Sequence, residues 1–265
     1  MTGTLINAAA IGVGAGIGTL LGGRLPGSVR STVTDVLGVF VLVLGTADAL
    51  GTFGAELEQV LGASAVLVIL ASLLLGGVIG ELLDIEGRLA RFGAWLRDRI
   101  LGIEAAGSGV AGSEPDLDGG PLAPPRDLAD PRQRFVEGFV ITSLIVCVGP
   151  LAILGPLEDG LTGSFEILAV KAMLDGFAAL AFASALGIGV AFSVLPLLVL
   201  QGGVTLAAGL LQSVMTDPML AALTATGGFL VMAIGIRLLE LRQIRVANLL
   251  PALVLAPLVV GLWPS

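Results

Sequence analysis

The 265-residue sequence has no histidine, no tyrosine, a single cysteine (Cys147) and a single lysine (Lys171). Each gap removes chemistry. Without histidine there is no imidazole metal site and no imidazole general base. One cysteine makes neither a cysteine zinc site nor an intrachain disulfide. No HExxH, GxSxG, complete Walker sequence or complete GxGxxG occurs, so neither an enzyme nor a cofactor is expected. Charge is scarce too. Only 13% of residues are charged, against about a quarter in a soluble domain, too few to coat a globule in water. The net charge of −8 and a pI near 4.5 argue against a nucleic-acid partner.

What fills the space is apolar. Hydrophobic residues make up 55% of the chain and the mean hydropathy is +1.02. The apolar runs are continuous, not alternating, which favours helices over a barrel. The expected fold class is an all-α polytopic membrane bundle. Eight spans are read near 3–23, 32–50, 63–83, 135–155, 165–186, 190–211, 218–239 and 246–263. Each approaches the roughly 20 residues that cross about 30 Å of hydrocarbon. No positive segment precedes the first span, so it does not read as a cleaved signal.

Arginine placement fixes the orientation. With the N-terminus outside, Arg24 and Arg30 fall in the first inner loop. Arg88, Arg91, Arg97, Arg99, Arg126, Arg132 and Arg134 fall in the long inner segment, and Arg237, Arg242 and Arg245 between spans seven and eight. All basic residues except Lys171 then share one side. The outer loops carry Asp48, Glu56, Glu58, Glu158, Asp159 and Asp217 and no arginine. Both termini are expected outside, in a bacterial plasma membrane.

Four regions follow: three spans over 1–84, a surface helix over 85–102, a flexible inner linker over 103–131, and five spans over 132–265. In the second region Ile85, Leu89, Phe92, Leu96 and Ile100 recur at helical spacing among arginines, which predicts a helix lying on anionic lipid. A cytosolic extension of span three is the other reading. The third is rich in Gly and Pro and has little to build a core. Spans three and seven end alike, GGVIGELLDIEGRL and VMAIGIRLLELRQI, which hints at a parallel four-plus-four repeat. Arginine and glycine at every inner helix end would also produce the likeness.

Charges in hydrocarbon point to function. Lys171 and Asp175 lie four apart on one helix face and can pair. Lys171 is near the outer end and can snorkel; Asp175 is deeper. Gly176 would admit a close backbone or a ligand. Gln201, Gly202 and Gly203 suggest a break in span six, followed by Thr205. Glu137 and Asn248 are the remaining candidates. The pattern suits a site in which Asp175 takes a cation or proton and Lys171 balances it. A purely structural pair tying two helices is the alternative, and for lone Ser and Thr residues helix packing is favoured. Gly14, Gly18 and Gly22 form a stripe for tight contacts, within the chain or between copies as a homo-oligomer.

The segments GTLINAAAIGVGAGIGTLLGGRLP, EGFVITSLIVCVGPLAILGPLEDGL, KAMLDGFAALAFASALGIGV, QGG, TGGFLVMAIGIRLLEL and VANLLPAL resemble the YqgA-like family of bacterial inner-membrane proteins, a domain of unknown function. The resemblance covers nearly everything outside 84–131. It implies a plasma-membrane protein with a transport role, and carries Glu137, Lys171, Asp175, Gly176, Gln201, Gly202 and Asn248 over as family motif positions. It supplies no substrate. The expectation is a transporter or channel for a small solute, a cation or a proton-coupled metabolite; the alternative is a non-transporting scaffold.

Overall fold

The computed structural model describes residues 1–22, 24, 26–101, 131–148 and 151–263. The linker expected over 103–131 lies outside these, apart from Pro131. The described residues form helices and no strands. In order they are α1 (Thr2–Gly22), α2 (Gly27–Ala49), α3 (Ala55–Leu61), α4 (Ala65–Leu82), α5 (Ile85–Leu101), α6 (Pro131–Cys147) and α7 (Leu151–Thr162). Then come α8 (Glu166–Leu186), α9 (Val194–Leu206), α10 (Ala208–Gln212), α11 (Asp217–Leu238) and α12 (Ala252–Gly261).

Local chemistry sets the ends. Thr216 precedes α11 in an extended conformation, with Asp217 and Pro218 in the first turn, a helix-start pattern. α8 stops at Gly187, whose φ of +84° suits only a residue without Cβ. A short 3-10 turn, Ile188–Ser193, then leads into α9. α4 and α11 end in the same way: the acids Asp84 and Glu240 take positive φ, 47° and 55°. The likeness of the two sequences there is thus a likeness of caps.

Five helical stretches are long and apolar enough to cross a membrane: Thr2–Gly22, Ser31–Leu82, Glu166–Leu186, Ile188–Leu206 and Asp217–Leu238. Helices Gln133–Cys147 and Leu151–Thr162 pass the same test as a pair bent by 59°. The packing suits hydrocarbon. Large side chains such as Leu20, Phe40, Leu74, Phe177 and Val199 face outward, while Ala15, Ala179, Ala183, Ala222 and Ala225 are buried. A lipid solvent gives large apolar groups no reason to hide, so close packing by small residues holds the helices together.

Glycine sets the closest approaches. A Cβ on Gly14, Gly18 or Gly22 would strike the carbonyls of Gly176, Leu180 and Ser184, so α1 and α8 run parallel, backbone against backbone. α2 and α11 pack antiparallel, with Gly45 against Gly228 and Gly38 against Leu239. α4 runs antiparallel to the last segment, with Gly76 against Ala252 and Gly80 against Asn248. α6 and α7 lie parallel to the run that ends in α9, through Gly189 on Phe135 and Gly160 on Thr205.

Two expectations change. α9 runs unbroken through Gln201, Gly202 and Gly203, because in hydrocarbon the backbone keeps its internal hydrogen bonds unless something replaces them. The turn at Gly187–Ser193 falls where the gap between spans five and six was expected. α5 is also turned relative to the expected lipid helix. Ala90, Ala94 and Leu96 are buried, Gly93 faces Phe139, and Ile85 and Leu89 pack on the core. Phe92 and Trp95 remain exposed and stack on each other at 5.8 Å. Contact with α6 and Val246–Leu249 claims the small-residue face, leaving Arg88, Arg91, Arg99 and the two aromatics outside, with Arg97 mostly covered.

Candidate functional site

The expected site residues fall into two clusters. The first lies between α1, α8 and α9. Lys171 Nζ donates to Asp175 Oδ2 at 2.5 Å, one helical turn along α8. Asn7 Nδ2 of α1 donates to the same oxygen at 3.0 Å. It also reaches Gln201 Oε1 of α9 at 3.5 Å. Asn7 and Gln201 have no solvent exposure at all, and Lys171 and Asp175 are nearly as buried. The partners also fix the amide orientations. A carboxylate oxygen needs a donor, so Asn7 turns its Nδ2 to Asp175; Gln201 then turns its Oε1 to Asn7. Among the described residues Asn7 Oδ1 and Gln201 Nε2 are left buried with no hydrogen-bond partner.

Gly176 lies on the α1 seam, where Gly14 packs on its carbonyl and its own Cβ position meets Ala10. Another backbone, not a ligand, uses the space its missing side chain gives. Gly202 faces the Met1 side chain. Thr205, one turn beyond Gln201, is buried and its hydroxyl has no partner; nor has that of Thr4, one turn before Asn7. Cys147 at the end of α6 lies within electrostatic reach of Lys171 and Asp175.

Glu137 and Asn248 belong elsewhere, and this corrects the single site expected from sequence. Glu137 lies ten residues before Cys147 on α6, about 15 Å away at 1.5 Å per residue. It takes Arg237 of α11 in a two-point grip, Nε to Oε1 at 2.8 Å and a terminal nitrogen to Oε2 at 3.1 Å. Arg237 also donates to Glu86 of α5 at 2.5 Å. The other Glu86 oxygen accepts the Ala247 N–H at 3.0 Å, and Asn248 Oδ1 accepts the Glu86 N–H at 2.8 Å. Asn248 Nδ2 and Arg245 both donate to Glu81 at 2.6 Å. Glu86 and Arg237 were not singled out from sequence. They stand among other charges near helix ends, and their charged partners are 100 and 151 positions away.

A fourth buried carboxylate, Asp159 of α7, holds the start of α1. Its Oδ2 accepts the Met1 amine at 2.8 Å and the Gly3 N–H at 3.2 Å. An apolar cavity of about 240 Å³ lies against Cys147, Leu200, Leu223 and Leu253, and none of the expected site residues lines it. Among the described residues no three His, Cys, Asp or Glu side chains gather as metal ligands.

This arrangement was compared with known proteins. The family described as "Protein of unknown function (DUF554)" matches residues 2–261. The chain belongs to that family. It is 31% identical over 263 residues to the uncharacterized protein YqgA of Escherichia coli K12, covering 99% of this chain and 97% of that one. It is 26% identical over 260 residues to the uncharacterized membrane protein YdfK of Bacillus subtilis 168, covering 98% and 96%. No solved structure matches. The YqgA-like resemblance seen in the sequence motifs therefore holds over nearly the whole chain, and a membrane location agrees with the apolar helices.

Proposed function

We propose that this chain is a multi-pass inner-membrane transporter or channel for a small solute, a cation or a proton-coupled metabolite, with its site around Asp175. The observation that carries the reading is the half-satisfied cluster of Lys171, Asp175, Asn7 and Gln201. Two ionised groups and two amides are buried together, and the amides leave an acceptor and a donor unmet. A buried polar group without a partner costs about 1–3 kcal/mol. A pair kept only to tie helices has no reason to carry that cost. No enzymatic role is proposed.

The proposal includes eight crossings with both termini outside. The 52-residue stretch Ser31–Leu82 would extend about 78 Å as one helix, over twice the hydrocarbon thickness. Extended Gly54 and positive-φ Gly62 interrupt it, so α2 and α4 count as two crossings. The bent α6–α7 pair counts as one, and Val246–Gly261 as the last. Simple up-and-down threading of eight makes α1–α8 and α6–α9 parallel and α2–α11 and α4–α12 antiparallel, in agreement with the glycine contacts. Support for a four-plus-four repeat is confined to the matched caps at Asp84 and Glu240. The repeat would pair α4 with α9 as α2 pairs with α11, and the described residues make no comparable α4–α9 contact.

Two experiments test the proposal. On a Cys147→Ser background, single cysteines at Ser28 and Ser213 label from opposite sides, 28 from inside. Labelling of both from one side removes the eight-crossing arrangement. Purified protein in liposomes passes current on a step of Na⁺, K⁺ or H⁺, or on a solute step under a proton gradient, and Asp175→Asn abolishes it. A folded Asp175→Asn with full flux removes the site. The scaffold reading is favoured by the short Lys171–Asp175 bond alone, and it predicts no flux in either protein.

A further inference from the structure

The cluster at Asp175 does not end at Gln201. The same turn of α1 connects it to Asp159. Gly3 N–H binds Asp159 and Asn7 Nδ2 binds Asp175, four residues apart, or about 6 Å along the helix. Both carboxylates are bonded in the same way. Each uses Oδ2 for one amine and one neutral N–H: Met1 and Gly3 at Asp159, Lys171 and Asn7 at Asp175. At neither does Oδ1 take a hydrogen bond among the described residues. Between them sit four buried side chains with unmet polar atoms: Thr4 Oγ1, Asn7 Oδ1, Gln201 Nε2 and Thr205 Oγ1. Thr205 lies beside Gly160, the neighbour of Asp159. Two hydroxyls without partners and two amides each with one atom unmet, a turn apart on α1 (Thr4, Asn7) and on α9 (Gln201, Thr205), are more than packing requires.

We propose that these groups form a proton path leading inward from Asp159 at the outer face to Asp175. This rests on the site reading above and names its coupling species. A proton leaves hydronium in the outer water and passes through Asp159 and the Thr4 and Thr205 hydroxyls, with water supplying the other links. The Asn7 acceptor and the Gln201 donor orient that water. One O–H bond forms at Asp175 Oδ1 as one breaks at the donor, and no electrons change hands. Lys171 keeps its proton and loses its ionic partner, which frees the ammonium to move or to meet an anionic group. The titratable groups in or beside the path are Asp159 of α7, the Met1 amine just before α1, Lys171 and Asp175 of α8, and Cys147 of α6, with Glu158 next to Asp159 in the chain; α9 contributes only Gln201 and Thr205.

Thr4→Val and Thr205→Val make an informative pair. Neither hydroxyl has a partner to lose, so the double variant keeps its shape and its bonds. Full-length protein is placed in liposomes holding a pH-sensitive dye, with membrane potential clamped, and the outside is acidified. The wild type acidifies the lumen faster than empty liposomes. The double variant and Asp159→Asn each slow this at least tenfold, while melting temperature and monodispersity are kept for the double variant. Asp175→Asn abolishes it. A folded double variant that conducts protons like the wild type overturns the path. So does a wild type with no proton flux; a sodium or potassium flux lost in Asp175→Asn would then leave the site standing and only the proton refuted.

Discussion

The two buried charge clusters are built from similar residues and finished differently. Where α6 begins and α11 ends, every carboxylate oxygen of Glu86 and Glu137 accepts a bond, and both polar ends of Asn248 are used. Between α1, α8 and α9, Lys171 and Asp175 pair, but the amides beside them each leave one atom unmet. The first is a knot that ties α4, α5, α6, α11 and Val246–Leu249. The second holds its charges in place and keeps binding capacity in reserve. The proposed function therefore rests on unmet hydrogen bonding beside the charge, not on charge alone.

The largest effect should come from untying the knot. Arg237→Met leaves Glu86 and Glu137 as buried carboxylates without their guanidinium, at about 3–5 kcal/mol. The expected outcome is aggregation on extraction, read by size-exclusion chromatography. A monodisperse Arg237→Met with unchanged melting temperature would break the comparison at its structural side. Next comes the seam that carries the second cluster. Gly18→Val drives a side chain into the Leu180 carbonyl, an overpacking cost of about 1–3 kcal/mol, seen as a lowered melting temperature. Gly16→Val, where a Cβ meets nothing within 4 Å, should leave it unchanged.

Part of this was legible in the sequence. Apolar run length, glycine stripes and arginine placement gave the helices and the α1 contact face. The Lys171–Asp175 pair was legible because four-residue spacing is local and other charges nearby are few. Gln201 was a candidate beside Gly202 and Gly203, but its meeting with Asn7 was not legible, since 194 positions separate them. Glu137 and Asn248 were drawn into the wrong site because spacing carries no depth information between helices. Glu86 and Arg237 were hidden by surrounding charge. A usable signal for Glu86 existed in Ala90, Gly93 and Ala94, small residues that mark its side of α5 as packed against protein.

Smaller still is the effect expected on the exposed face of α5. Replacing Arg88, Arg91, Arg97 and Arg99 with Gln weakens its hold on anionic lipid by at most about 1 kcal/mol per charge. Flotation with phosphatidylglycerol vesicles against neutral ones reads this, on full-length protein in nanodiscs. Equal lipid preference before and after would leave Phe92 and Trp95 as the only anchors.

The central claim is that the Arg237 cluster is structural while the proposed Asp175 site works. The most direct measurement is ion flux through the Lys171→Met, Asp175→Leu double variant in liposomes, taken with its melting temperature. Replacing a buried ion pair by apolar residues of similar size is often neutral or stabilising. The account predicts a protein as stable as the wild type, or more so, that passes no ion. A double variant both stable and fully active would contradict it.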